Sequence, residues 1–191
     1  MYGVIDFYEA ARAVGIKPII GCEVYVSPGS RFDREVNRGE DRYYHLVLLA
    51  ENNTGYKNLS KIVSRGFTEG FYYKPRVDME VLKEFHEGII ALSACLAGEV
   101  AVNLRKGNYA GAKEAALRHL DIFGENNYFL EMQDHGIPDQ ATVNAGVMRL
   151  SKELGIPMVV TNDSHYIYAE DADAHDILLC ICLLYTSPSP R

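Results

Sequence analysis

The chain has 191 residues, 48% of them apolar and 24% charged, with a formal net charge of −7. That is ordinary material for one domain with a sizeable core, which excludes a disordered chain, and the acidic balance gives no overall attraction to nucleic acid. No apolar run reaches the length of a membrane span, and Met1-Tyr2-Gly3-Val4-Ile5-Asp6 lacks the basic-then-apolar layout of a secretory signal.

Val4 to Val14 reads as a helix, with Val4, Phe7, Ala11 and Val14 in one stripe and Gly15 as its stop. Lys17 to Val26 reads as a strand. Ser27 to Asp41 holds Pro, Gly and seven charged residues and is expected to be an exposed, mobile loop. Tyr43 to Ala50 is the next strand, and Asn53 to Gly66 a helix with Leu59, Ile62 and Val63 on one side. Asp78 to His86 fits a short helix opened by an Asp N-cap. A strand over Gly88 to Ser93 precedes an Ala-rich helix from Asn108 to Phe123. Tyr128 to Gln133 is a strand, Pro138 to Leu154 a helix with Pro in its first turn, and Pro157 to Thr161 a strand. Glu170 to Ile181 closes as a helix. The alternation predicts an α/β fold with a largely parallel sheet, whose ligands gather at the carboxyl ends of the strands.

Several polar residues fall at those ends. In Thr161-Asn162-Asp163-Ser164-His165, residues Asp163 and His165 are two apart after an apolar strand, so both can face one ion. Carboxylate and imidazole together suit zinc, manganese or iron. Glu23 lies late in its strand, Cys95 just past the end of another, and Asp134-His135 past Phe129-Leu130-Glu131. His45 is the exception, early in its strand, and must reach the same place from another direction. Each has a plainer reading: Glu23 as a surface strand end, His45 as a core histidine, Cys95 as a small buried apolar group. His86, His119 and His175 lie on predicted helices and are expected at the surface. Tyr72-Tyr73-Lys74-Pro75-Arg76 mixes rings with cations, as a nucleic-acid contact or a packed rim loop would, and Arg76 is the residue there expected to meet phosphate. Cys22, Cys95, Cys180 and Cys182 show neither zinc-finger spacing nor a disulfide framework, which favours a reducing cytoplasm. After Ile181 the chain changes abruptly to Cys182-Leu183-Leu184-Tyr185-Thr186-Ser187-Pro188-Ser189-Pro190-Arg191, which reads as a non-native tail.

Five blocks, in order, resemble the PHP (polymerase and histidinol phosphatase) domain of bacterial DNA polymerase III alpha subunits. They are Gly15 to Val26, His45 to Leu59, Ser93 to Glu99, Glu131 to Gly136 and Thr161 to Tyr166. The resemblance covers nearly all of residues 1–181, taken as a partial PHP domain with 182–191 as the tail. It implies a distorted (β/α)7 barrel with a cluster of divalent metals, zinc or manganese, at one mouth. Carried over, the metal ligands are Glu23, His45, Cys95, Asp163 and His165, with Asp163 and His165 also catalytic and His135 a further ligand or a group behind the ligands. Intact domains of this kind are associated with phosphoester hydrolysis, as 3′–5′ exonuclease or pyrophosphatase. The polymerase context implies DNA, a proofreading exonuclease and a sliding clamp as partners, with magnesium in the polymerase domain and no membrane. The family's opening His-x-His and Asp-His motifs are not found, so Met1 reads as an internal methionine and the barrel is expected to be incomplete, its first strands missing. Nothing within the 191 residues resembles a polymerase palm, and the chain is read as a fragment. The alternatives are a PHP scaffold without hydrolysis and, less favoured by the blocks, a free-standing PHP phosphatase.

Overall fold

Apolar residues at every second position give two strands one buried face each. In β1 (Gly21–Val26), Val24 and Val26 point into the core, while Glu23 and Tyr25 take the other side. In β2 (Tyr44–Ala50), Leu46 and Leu48 are buried and His45 and Val47 share the opposite face. The computed structural model describes residues 1–35 and 42–183, in two compact units, Met1–Thr161 and Asn162–Arg191.

The first unit is built on a seven-stranded sheet. Besides β1 and β2 it contains β3 (Phe71–Tyr72), β4 (Lys74–Val77), β5 (Ile89–Leu92), β6 (Tyr128–Met132) and β7 (Met158–Val160). The order is β3-β4-β1-β2-β5-β6-β7, so β3 and β7 are edges and the sheet stays open rather than closing into a barrel. The expectation of a largely parallel sheet needs correction. β1 with β4, β5 with β6, and β6 with β7 are parallel, but β2 is antiparallel to both β1 and β5, and β3 to β4. A parallel neighbour needs a crossover, usually helical, and none is predicted between β1 and β2.

Helices α1 (Val4–Ala13), α2 (Asn53–Thr68), α3 (Met79–Glu84), α5 (Tyr109–Phe123) and α6 (Pro138–Leu154) fall where the periodicity puts them. Asn52, Asp78 and Asn108 cap α2, α3 and α5, each accepting a hydrogen bond from a backbone N–H of the first turn. Leu59 and Ile62 of α2 are fully buried with Leu46, Leu48 and Val24 in one core cluster, each such side chain contributing about 1.5–3 kcal/mol. The first turn of α2 lies so close to the turn before β5 that a Cβ on Gly55 would stand 1.8 Å from the Gly88 carbonyl oxygen. The stripe of α1 is not packed in the same way: the helix contributes no buried residue, and Phe7 and Val14 are exposed. Two features have no counterpart in the sequence reading, the β3–β4 hairpin and α4 (Glu99–Arg105). Both are too short to show a period.

Two polar side chains depart from expectation. The described part of the Ser27–Asp41 segment is an exposed loop at residues 28–30 and 32–35, as expected, but Arg31 within it is only 5% exposed. Its Nε donates to Glu69 at 2.7 Å, and its Nη1 to Asp78 at 3.1 Å and Glu80 at 2.9 Å. Residues 36–41 of that segment lie outside the described residues. His119 is buried too, its ring stacked on Tyr128 with centroids 5.5 Å apart and its Nδ1 2.9 Å from the Ala115 carbonyl oxygen. Burial pushes its pKa down to about 4, so it is a neutral core group.

In the second unit a 3-10 turn, Ala169–Asp171, leads into α7 (Ala172–Leu183). The expected tail begins at Cys182, inside this helix; 184–191 lie outside the described residues. Among the described residues no helix is long and apolar enough to cross a membrane.

Arg31→Ala should lower stability by about 3–5 kcal/mol, because it leaves Asp78 buried without its counter-charge. Glu80→Gln, removing an exposed partner, should change it by no more than about 1 kcal/mol. Urea melts of the two variants check this.

Candidate metal centre

The inverted direction of β2 resolves the anomaly of His45. Because β2 runs against β1, its amino end lies beside the carboxyl end of β1, with His45 opposite Tyr25 and Val47 opposite Glu23. Glu23 and His45 are therefore diagonal neighbours on the face turned away from the core. Glu23 Oε1 lies 2.9 Å from His45 Nδ1.

Cys95 arrives from the other side of β2. After β5 the backbone turns at Ala94, which has φ +66°, a left-handed conformation that disfavours residues with a side chain. The following turn closes with Gly98 N–H donating to the Cys95 carbonyl, and His45 N–H donates to the Ala97 carbonyl at 3.0 Å. This stitches the loop to β2 and sets Cys95 Sγ 3.6 Å from His45 Nδ1. The donor atoms of Glu23, His45 and Cys95 all lie within 4.8 Å of one another. Ligands on a tetrahedral zinc, with bonds of about 2.0–2.3 Å, stand about 3.3–3.8 Å apart, so a small adjustment would fit this carboxylate, imidazole and thiolate around one ion. The set is also mixed in hardness, which suits zinc.

The four other sequence candidates are placed as follows. Asp163 and His165 open the second unit, where His165 Nδ1 is 2.8 Å from the Asp163 carbonyl oxygen and 3.9 Å from its Oδ1. His135 is exposed and held by Gln140, whose amide accepts from its backbone N–H and lies 2.9 Å from its Nδ1. Arg76 does not sit at the surface where phosphate contact was expected. It is 1% exposed, and its guanidinium donates to the carbonyls of Gly70, Arg31 and Asp33. It pairs with Tyr25 of β1, and the segment carrying Arg31 and Asp33 closes over its guanidinium.

Glu131 opens one of the five blocks but is not among the site residues expected from the sequence. It is buried; its Oε1 accepts from the Thr161 hydroxyl and from Gln133 Nε2, while its Oε2 has no partner among the described residues. With Cys95, Gln133 and Gln140 it lines a cavity of about 10 Å³, room for roughly one water. The signal was there: a carboxylate inside the apolar run Tyr128-Phe129-Leu130-Glu131-Met132.

The chain matches the PHP domain family over residues 1–135 and belongs to it. It is 50% identical to DNA polymerase III subunit alpha of Treponema pallidum over 181 residues, 95% of this chain and 16% of that protein. Against the subunit of the same name from Thermus aquaticus it is 46% identical, over 100% of this chain and 16% of the relative. Against that from Deinococcus radiodurans the identity is 48%, over 95% and 14%. The chain thus spans a small fraction of the length of these curated relatives.

Burial lowers the pKa of His45, but hydrogen bonds to Cys95 and Glu23 outweigh it and lift the value to about 9. The folded value lies above the ordinary 6.5, so the imidazolium contributes stability that is complete below about 6.5 and is lost as pH rises toward 9. Thermal melts of the metal-free chain should show Tm falling across that window, and His45→Gln should flatten the slope.

Proposed function

We propose that this chain is the greater part of the PHP domain of a replicative DNA polymerase alpha subunit, and that it binds divalent metal for phosphoester hydrolysis. The observation that carries the reading is the meeting of Glu23, His45 and Cys95 at one end of the sheet. Asp163 and His165 are proposed to complete the ligand set and to serve catalysis, and His135 to brace the site through Gln140. Zinc or manganese would supply Lewis acidity and a bound water of lowered pKa. The chain's own residues do the rest. His45 would give up its Nδ1 proton, which would free both that nitrogen and the Glu23 carboxylate now held against it to face the ion. Cys95 offers its sulfur from a loop pinned to β2, so the donors are fixed by backbone pairing before any ion arrives.

In the intact polymerase this reading places the domain in the cytoplasm, beside DNA, the sliding clamp and a proofreading exonuclease, with nucleotidyl transfer in a separate magnesium-dependent domain. The relatives' shared name and the order of the five blocks support that context.

Equilibrium dialysis against zinc tests the site. The 191-residue chain should bind the ion, with Cys95→Ser and Asp163→Asn each weakening it by at least about tenfold, the loss seen even for groups behind a metal ligand. Equal zinc content in all three proteins would remove the ligand assignment. Metal binding without turnover of a chromogenic phosphodiester, even in the full-length polymerase, would leave the domain as a scaffold.

A further inference from the structure

The two cations of Tyr72-Tyr73-Lys74-Pro75-Arg76 lie two apart on β4 and share one face of the strand, but their ends part. Arg76 holds carbonyls, as described above. Lys74 reaches toward Tyr25 instead. Its Nζ lies over the ring of Tyr25, 5.6 Å from the centroid, and among the described residues it makes no ion pair. Tyr25 in turn touches the metal-competent cluster, its ring 5.2 Å from that of His45 and 4.7 Å from that of Tyr43. An ammonium with no ion-pair partner among the described residues therefore stands one ring away from the candidate metal centre.

The turn that presents Lys74 is itself unusual. Phe71 pairs with Pro75 and Tyr72 with Lys74, leaving Tyr73 alone at the tip. Tyr73 has φ +59°, a left-handed conformation that is uncommon for a bulky residue and costs about 1–2 kcal/mol. Its side chain is 67% exposed, with the Arg42 guanidinium 4.8 Å from its ring centroid. The ring also meets Tyr72 edge-on, with centroids 4.7 Å apart, yet most of the residue stays in water, and a strained tip of this kind points to something outside the fold that uses it. Exposed rings interleaved with cations are the chemistry that holds single-stranded nucleic acid. Bases stack on the rings whatever their sequence, and the backbone phosphates meet the cations.

We propose that the β3–β4 hairpin is a single-strand binding element, in which Tyr73 stacks a base and Lys74 holds a phosphate beside Tyr25. Its meaning as a substrate platform rests on the hydrolytic reading of Glu23, His45 and Cys95, but strand binding itself needs no metal. The chain's net charge of −7 makes this local patch, rather than the molecule as a whole, responsible for attraction.

The test is fluorescence anisotropy of a short labelled oligothymidylate titrated with the full chain at low salt in the presence of a chelator. Failure of the metal site then leaves the readout untouched. Lys74→Gln should weaken binding several-fold and reduce the salt slope by about one. Tyr73→Asn removes the ring while keeping a residue that tolerates the left-handed turn, and should weaken binding by about tenfold without lowering Tm. Lys113→Gln makes the same charge change at a lysine already paired with Glu153 on another face of the fold, and should stay within about twofold. The proposal is overturned if the parent chain does not bind the strand, if Lys74→Gln binds as the parent does, or if Lys74→Gln and Lys113→Gln lose affinity alike. Displacement of the strand by inorganic phosphate as readily as by unlabelled oligothymidylate would also overturn it, because a bare anion site would then account for the binding.

Discussion

The antiparallel pairing of β1 with β2 is the constraint on which the site depends. Its register, with Tyr25 opposite His45, brings the start of one strand to the end of the other. The pleat then assigns tasks to faces: Val24, Val26, Leu46 and Leu48 hold the core, and Glu23, Tyr25 and His45 are left for chemistry. A one-residue slip of β2 against β1 would turn His45 toward the core and Leu46 and Leu48 away from it. The stability of the core therefore also fixes the geometry of the donor cluster. Cys95 depends on the same pairing, since its loop is hydrogen-bonded to the backbone of His45.

Much of this was legible in the sequence, where the signal was periodic. Pro138 to Leu154 shows both a helical period and terminal markers, and the helix has those bounds. Strand order and direction carry no such signature. The absence of a helical pattern between Val26 and Tyr43 did hint that β2 would be antiparallel, and with it that His45 needed no separate route to the site. The blocks that suggested a PHP domain carried the identity well, because each is a contiguous stretch.

Buried polar side chains were the poorest read. Arg31, Arg76 and His119 look like surface residues by type, and a local window cannot show that each finds partners far along the chain or in a carbonyl cage. Arg31 meets Asp78 across 47 positions, and Arg76 meets Asp33 across 43. Glu131 is the converse, a carboxylate whose apolar neighbours announced burial but not its hydroxyl and amide partners. In each case the deciding interaction is tertiary, and no spacing rule reaches it.

If Glu23, His45 and Cys95 hold one metal ion together, as proposed, zinc K-edge X-ray absorption of the zinc-loaded chain should show a single sulfur at about 2.3 Å with nitrogen and oxygen neighbours at about 2.0–2.2 Å, and loss of the sulfur shell in Cys95→Ser. A first shell of nitrogen and oxygen alone in the parent chain, or a sulfur shell that persists in Cys95→Ser, would contradict that proposal.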